Sequence, residues 1–256
     1  MIKEIYILII IQSRRDYDYN EGTNYRTQII KQSKIITELK QMTSYKQAGV
    51  NLDLGNTVSE ILYNASKETW KNRAGKIGEV IIPFDNFSGL RYTKIGNLPE
   101  DAVSNMNFDG IGTKIEIAER MNNHKTVAFD LFAMVCDDAV IRGAEPVHLG
   151  SILDVNSLGK ENLFLQQITQ LAQGYIQAAA AANVAVINGE VAELGNRVHG
   201  YDKFNYNWGA GVLWYARESR LITGQKVIEK DFIVALQEKG FRSNGISLVR
   251  KILTKK

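Results

Sequence analysis

Residues 107–114 read NFDGIGTK, and they decide how the sequence is interpreted because a strand ends there and a helix begins. The strand is predicted over Ala102–Phe108 and the helix over Thr113–Asn122. Glycines let the backbone approach a ligand, and a helix N-terminus offers unpaired N–H groups to a phosphate. Lys114 carries the charge that would neutralise a phosphate oxygen. The alternative is an ordinary turn with a solvated Asp109 and Lys114.

A second acidic stretch lies on the next predicted helix, Thr126–Arg142. Asp130 and Asp137 share one face of that helix and lie about 10.5 Å apart along its axis. Asp138 stands beside them. Three carboxylates repel one another unless a cation compensates them, and hard oxygen ligands near phosphates suit Mg²⁺. The alternative is that this stripe of the helix faces water.

A third acidic stretch, NGEVAELG at residues 188–195, follows a buried strand predicted over Val184–Ile187. An acidic side chain such as Glu190, placed at the end of a buried strand, often faces a cleft. The alternative is a loop with a solvated glutamate, which is the more common situation for this residue type.

The remaining pattern predicts an α+β fold in which helices pack on one face of a sheet. A helix capped by Asp53 and a long helix over Glu161–Ala182 both show apolar residues at helical spacing. A last helix runs over Gly245–Leu253. Besides the strands named above, we predict two strands within Glu79–Ile95 and one each over Val147–Val155, Phe204–Tyr215 and Phe232–Leu236.

The composition is that of an ordinary globular protein, with 45% apolar and 23% charged residues in a chain of 256. The single cysteine, Cys136, excludes an internal disulfide framework and a cysteine-based zinc site. A net charge of +3 leaves no basic footprint for nucleic acid. No apolar run approaches the ~20 residues of a membrane helix, and no cleavable signal peptide is recognisable. We therefore expect a cytoplasmic location without membrane or nucleic-acid partners.

Three parts are predicted along the chain. Residues 1–43 form an atypical N-terminal extension, residues 44–217 form the main domain, and residues 218–256 are the beginning of a truncated C-terminal domain. One strand and one helix cannot bury enough apolar surface to offset their ordering entropy. We therefore expect the residues from about 219 onward to be loosely held.

Five stretches, taken together and in order, resemble the family of aminoimidazole ribonucleotide synthetase, also called phosphoribosylformylglycinamidine cyclo-ligase. The first is SYKQAGV at 44–50 with DLGN at 53–56, and the second is DGIGTK at 109–114, which resembles D-G-V-G-T-K. The third is DLFAM at 130–134 with Asp138 and RGAEP at 142–146. The last two are NGEVAE at 188–193 and SNGISLVRK at 243–251.

The resemblance implies an AIR-synthetase-like N-terminal domain that binds ATP with Mg²⁺ and a small-molecule substrate, formylglycinamidine ribonucleotide. In that family ATP phosphorylates the formyl amide oxygen of the substrate, a nitrogen of the same molecule attacks the activated carbon, and phosphate leaves. Such chemistry relies on positioning and charge neutralisation. The resemblance also implies a homodimer, which we expect to form through the sheet around Glu79–Phe108 and Val147–Val155.

The resemblance further implies the residues that carry this chemistry. The expected catalytic residues are Lys114, Asp130 and Glu190. The expected nucleotide-binding residues are Asp109, Gly110, Gly112, Thr113, Lys114, Asp137 and Asn244. The expected metal ligands are Asp109, Asp130, Asp138 and Glu190.

The sequence departs from the family pattern at several positions. The asparagine of the usual N-D pair is Asp137, the first glycine of G-G-E is Asn188, and the histidine often found before S-N-G is Arg242. Two alternatives therefore stay open. The chain is another ATP-using enzyme of the superfamily (of the formylglycinamidine ribonucleotide synthetase, selenophosphate synthetase or thiamine-phosphate kinase type) or a non-catalytic nucleotide-binding fragment.

Overall fold

The computed structural model describes residues 52–82, 91–159 and 163–253. All of them lie in Gly49–Lys256, one of the two units into which the chain divides; the other is Met1–Ala48. The predicted extension over 1–43 and the motif at 44–50 lie outside the described residues. That residues 218–256 begin a second domain stays a prediction.

Five α-helices and six strands make up most of the described chain. The α-helices are α1 (Leu52–Thr69), α2 (Ile115–Met121), α3 (Val127–Val140), α4 (Leu165–Ala182) and α5 (Ile246–Leu253). The strands are β1 (Glu79–Ile81), β2 (Tyr92–Lys94), β3 (Ala102–Gly110), β4 (Glu145–Val155), β5 (Ala185–Glu193) and β6 (Tyr206–Arg217). Short 3₁₀ turns occupy Trp70–Arg73, Gly112–Lys114, Gly195–Arg197 and Glu218–Arg220. In this part of the chain no helix has both the length and the apolar character needed to span a bilayer.

Local sequence explains where several helices begin and end. Asn122 and Asn183 follow α2 and α4 with φ of 46° and 55°. Asparagine tolerates this left-handed conformation, which ends a helix. Asp53 lies inside the first turn of α1, so its predicted role as the capping residue is wrong. Its negative charge still favours that end of the helix dipole.

The main sheet has four strands in the order β3-β6-β4-β5. β6 runs antiparallel to both β3 and β4, whereas β4 and β5 are parallel. A parallel pair needs a crossover connection, and α4 provides it. β1 and β2 form a separate antiparallel pair. β4 has a neighbouring strand on each side, so the predicted strand Val147–Val155 offers no free edge for pairing with a second copy.

The core lies between one face of this sheet and three helices. Alternate residues of β6 point into it, as the two-residue period of a strand requires. They are Tyr206, Trp208, Ala210, Val212 and Trp214. α4 packs against α1 and α3, and these helices supply many of the other core side chains, so the predicted α+β fold with helices on one face is confirmed.

Two predictions about strands are wrong because strands depend on hydrogen bonds to a neighbouring strand. Phe232–Leu236 is not a strand, and the side chains of Phe232 and Ile233 are 97% and 98% exposed. High β-propensity does not form a strand when no neighbouring strand accepts its backbone hydrogen bonds. Conversely, β5 continues past Ile187 to Glu193, because β4 pairs with it along that length.

Candidate active site

Lys114 and Asp130 form an ion pair between the end of the NFDGIGTK stretch and the first turn of α3. The Lys114 Nζ lies 2.5 Å from Asp130 Oδ1. Lys114 ends the 3₁₀ turn Gly112–Lys114 that follows β3, so the turn directs its side chain toward the helix. Asp130 is only 9% exposed, and both side chains are largely shielded from water. Reduced screening makes such a pair stronger than one on the surface.

The SNG stretch at residues 243–245 and the residues just before it contact this ion pair. Ser243 Oγ donates to Asp130 Oδ1 at 2.7 Å, and Lys114 Nζ donates to the Phe241 carbonyl oxygen at 3.4 Å. The hydroxyl of Thr113 is 2.9 Å from that of Ser247. Three of the five sequence stretches therefore meet at one place, although Ser243 lies more than 100 positions from Lys114 and Asp130 in the chain.

Helix α5 holds this contact in place. Ile246, its first residue, is 3% exposed and is the buried anchor of the helix. Arg250 pairs with Glu116 on α2. Asn244, predicted to bind nucleotide, is exposed between Ser243 and the start of α5.

The other two carboxylates of α3 have different partners from Asp130. Asp137 is exposed and pairs with Arg242, the residue before Ser243. Asp138 lines a separate cavity of about 480 Å³ together with Asn105 and Asn107 of β3. Asp138 is eight positions after Asp130, which corresponds to about 12 Å along the helix axis.

Asp109 and Glu190 lie on opposite borders of the sheet. Both line a cavity of about 760 Å³ over the sheet face that carries no helices. Asp109 Oδ1 accepts a 2.6 Å hydrogen bond from the Gly110 backbone N–H. Gly110 is in register with Gly209, Ile152 and Glu190 across four strands. Three strand spacings therefore separate β3 from Glu190, about 14 Å. Glu190 lies within β5 and not in a loop after it, which corrects the predicted position.

The four predicted metal ligands do not form one preformed metal cage. In residues 52–82, 91–159 and 163–253, no group of three or more His, Cys, Asp or Glu side chains is close enough together to hold a metal ion. Their chemistry still suits Mg²⁺, which commonly takes one or two carboxylates and completes its shell with phosphates and water. The assignment of Asp109, Asp130, Asp138 and Glu190 to magnesium stays a prediction.

Sequence reasoning did not assign a role to Ser243 or Ser247, although both lie in the stretch that carries the family resemblance. The available signal was their position on either side of Asn244 and Gly245. Their hydroxyls contact Asp130 and Thr113, two residues that were predicted for the site.

The fold and the site define a class of protein. Residues 94–210 match the family described as AIR synthase related protein, N-terminal domain, and this stretch belongs to that family. The match includes β3, the DGIGTK turn, α3, α4 and β5, so the resemblance found in the sequence is confirmed.

Two curated relatives extend the comparison beyond that domain. The phosphoribosylformylglycinamidine cyclo-ligase of Desulfitobacterium hafniense is 34% identical over 211 residues, which is 82% of this chain and 58% of the relative. That of Pyrococcus horikoshii is 32% identical over 217 residues, 84% of this chain and 59% of the relative. The chain thus spans somewhat more than half the length of these relatives.

Solved structures show more distant likenesses. A thiamine-monophosphate kinase from Stenotrophomonas maltophilia K279a aligns with 62% of this chain and 43% of its own, at 12% identity and a TM-score of 0.42. A hydrogenase maturation protein HypE in complex with ATP aligns with 61% of this chain and 40% of its own, at 10% identity and a TM-score of 0.38.

Proposed function

We propose that this chain binds ATP and contributes to the ring-closing reaction of purine biosynthesis, in which formylglycinamidine ribonucleotide becomes aminoimidazole ribonucleotide. The observation that carries the proposal is the junction of Lys114, Asp130 and Ser243. Each comes from a stretch that resembles the cyclo-ligase family, and their side chains meet in space. The similarity to relatives named phosphoribosylformylglycinamidine cyclo-ligase supports the choice of substrate.

In this proposal Lys114 neutralises charge on the transferred phosphoryl group. Its ammonium is already held by Asp130, and Asp130 is held in turn by Ser243, so little reorganisation is needed when the nucleotide binds. The adjacent Gly112 has φ of 65°, a conformation that glycine adopts without strain. The turn can therefore bring backbone N–H groups close to phosphate oxygens.

The reaction itself needs no protein nucleophile. The formyl amide oxygen of the substrate attacks the γ-phosphorus of ATP, and ADP leaves. An amidine nitrogen of the same molecule then attacks the activated carbon, loses a proton and expels phosphate. Mg²⁺ would supply charge compensation at the phosphates, held by some of the predicted carboxylates. ATP and this substrate are cytoplasmic metabolites, so we expect the chain to act in the cytoplasm.

We also propose that the open face of the sheet pairs with a second copy of the chain. Phe108, Ile152 and Met106 are 72%, 57% and 50% exposed there. Glycines at 150, 209 and 211 flatten the face between them. Monomeric proteins rarely expose a contiguous apolar patch of this kind, so a partner surface is expected. A second copy would bury both patches at once.

Turnover by the purified chain tests the enzymatic proposal. The chain would be mixed with ATP, Mg²⁺ and formylglycinamidine ribonucleotide, and ADP, phosphate and ribonucleotide product would be measured separately. We expect equal amounts of all three, and no ADP when the substrate is omitted. ATP binding without ADP formation would favour a nucleotide-binding role, and a failure to bind ATP would contradict the proposal.

A further inference from the structure

Another cavity, of about 260 Å³, lies between α1 and the core face of the strands β4, β5 and β6. Aromatic rings form much of its wall, from Tyr63 and Trp70 on one side and Tyr175 and Trp208 on the other. None of these four residues belongs to the predicted site. The volume lies just below the range typical of drug-sized ligands, so the cavity suits a small ring system.

The four rings form two packed pairs, one on each side of the cavity. Tyr175 and Trp208 have centroids 5.2 Å apart, and Tyr63 and Trp70 meet edge to face at 6.0 Å. The Trp70 indole N–H donates to the Val186 carbonyl at 2.7 Å, which fixes that ring. The Arg91 guanidinium lies over the ring of Tyr63. Rings held in this way offer stacking and edge contacts to an aromatic ligand.

A count of hydrogens shows that the cavity has a donor to spare. Ser151 Oγ accepts from Trp208 Nε1 at 3.3 Å and lies 2.6 Å from the Tyr175 hydroxyl. The three groups carry three polar hydrogens, and these two bonds use two of them. Burial raises the pKa of Tyr175, so its hydroxyl keeps its proton. One O–H, on Ser151 or on Tyr175, therefore has no acceptor among the described residues.

The spare donor defines the ligand's chemistry. Both hydroxyl groups line the cavity. We propose that this cavity binds a flat nitrogen heteroaromatic ring, whose ring nitrogen accepts the O–H of Ser151 or Tyr175. The choice of adenine or aminoimidazole as the source rests on the proposed function.

Gly189 keeps the cavity open beside Ser151. A Cβ at this position would lie 3.2 Å from the Ser151 carbonyl oxygen and 3.9 Å from Ser151 Oγ. It would therefore place a methyl group beside the proposed hydrogen-bonding hydroxyl. A Cβ placed on Gly55 of α1 would have no atom within 4 Å, so the structure accommodates an alanine there.

Calorimetric titration of the full chain with adenosine and with 5-aminoimidazole riboside tests the proposal. Neither nucleoside carries a phosphate, so binding does not depend on Lys114. We expect at least one to bind, and the tighter of the two identifies the source. If neither nucleoside binds at millimolar concentration, this proposal is overturned. ADP formation in the turnover assay tests the proposed function independently of that result.

Variants locate the binding. We expect Gly189→Ala to weaken binding about tenfold and Gly55→Ala to leave it unchanged. The hydrogen count predicts that Tyr175→Phe alone keeps a donor, since the Ser151 O–H remains. The double variant Ser151→Ala, Tyr175→Phe removes both hydroxyls and should lose about tenfold. Equal affinity in the double variant and the unaltered chain would overturn the assignment.

The three tryptophans supply a readout that does not depend on any variant. The indole N–H resonances of ¹⁵N-labelled protein report on Trp70, Trp208 and Trp214 individually. Binding in the cavity should shift the resonances of Trp70 and Trp208 and leave that of Trp214 in place, because only the first two line it. A shift confined to Trp214 would place the ligand elsewhere and overturn the proposal.

Discussion

Arg242 pairs with Asp137, and each of the two stands where the family pattern has a different residue. The resemblance places an asparagine at 137 and a histidine at 242. The two departures are 105 positions apart in sequence yet in contact in the structure. Arg242 also donates to Glu238 at 2.9 Å. Because the two residues are in contact, we predict that the two departures compensate for each other.

This pairing predicts a specific pattern of rescue. Asp137→Asn and Arg242→His, made singly, should each loosen the segment around Ser243, because each breaks the ion pair. The double variant restores the asparagine and histidine of the family and should recover the contact. Both side chains are about half exposed, so the ion pair is weak. In a double-mutant cycle measured by ATP affinity, we expect a coupling free energy of about 0.5 kcal/mol between the two positions. Strictly additive effects on ATP affinity would contradict the compensation.

Lys114→Met should lower the rate of ATP-dependent turnover by about 100-fold, because it removes the positive charge at the proposed phosphate site. Steady-state ADP release measures the effect. Lys71→Met is a matched control, since Lys71 is an exposed lysine in a surface pair with Glu68. A rate for Lys114→Met equal to that of the control would remove Lys114 from the mechanism.

Phe108→Asp should convert a dimer into a monomer. The side chain is 72% exposed on the open sheet face, so the fold itself should tolerate the change, whereas a carboxylate buried between two copies would not be tolerated. Light scattering at micromolar concentration measures the mass. Val227→Asp, at an equally exposed apolar residue off that face, should leave the dimer intact. A monomeric unaltered chain would contradict the pairing.

Glu119 predicts a pH dependence of stability. Its side chain is buried, and Oε2 accepts the Tyr201 backbone N–H at 2.7 Å. Burial raises the pKa of this carboxyl above its ordinary value of 4.5. The folded state thus holds the proton more tightly than the unfolded state does. The stabilisation of the folded state by protonated Glu119 is fully present below pH 4.5. It is lost as the pH rises through the raised pKa of the folded state.

Glu119→Gln should therefore have the higher melting temperature near pH 8, with the difference shrinking toward pH 4. The glutamine keeps an acceptor for Tyr201 and carries no charge that must be buried. Glu68→Gln, at an exposed surface residue, should show no such pH-dependent difference in melting temperature. Parallel melting curves for Glu119→Gln and the unaltered chain at all pH values would contradict the assignment.

The sequence predicted the local parts of the site better than their spatial relations. Glycine spacing and the acidic residue at the start of α3 were enough to select Lys114 and Asp130 separately, because turns and helix ends are encoded locally. The contact between them, and the arrival of Ser243 more than 100 residues later, depend on how α3 and α5 pack. No periodicity in the sequence reports that packing.

The position of Glu190 also could not be predicted from the local sequence. The apolar run Val184–Ile187 ends at Asn188, so the sequence placed Glu190 in a loop near the other carboxylates. Pairing with Ser151 and Ile152 of β4 continues the strand instead and leaves Glu190 at the far border of the sheet. Hydrogen bonding between distant segments overrides the local signal.

Hydrogen exchange should divide the last part of the described chain into two classes. Phe232–Leu236 has no strand partner among the described residues and its large apolar side chains are 80% to 98% exposed, so its amides should exchange within seconds. α5 should exchange more slowly, because Ile246 is buried and Ser247 and Arg250 contact Thr113 and Glu116. The helix is thus better held than the sequence alone suggested. Protection at 232–236 as strong as that in α4 would show that this segment is packed after all.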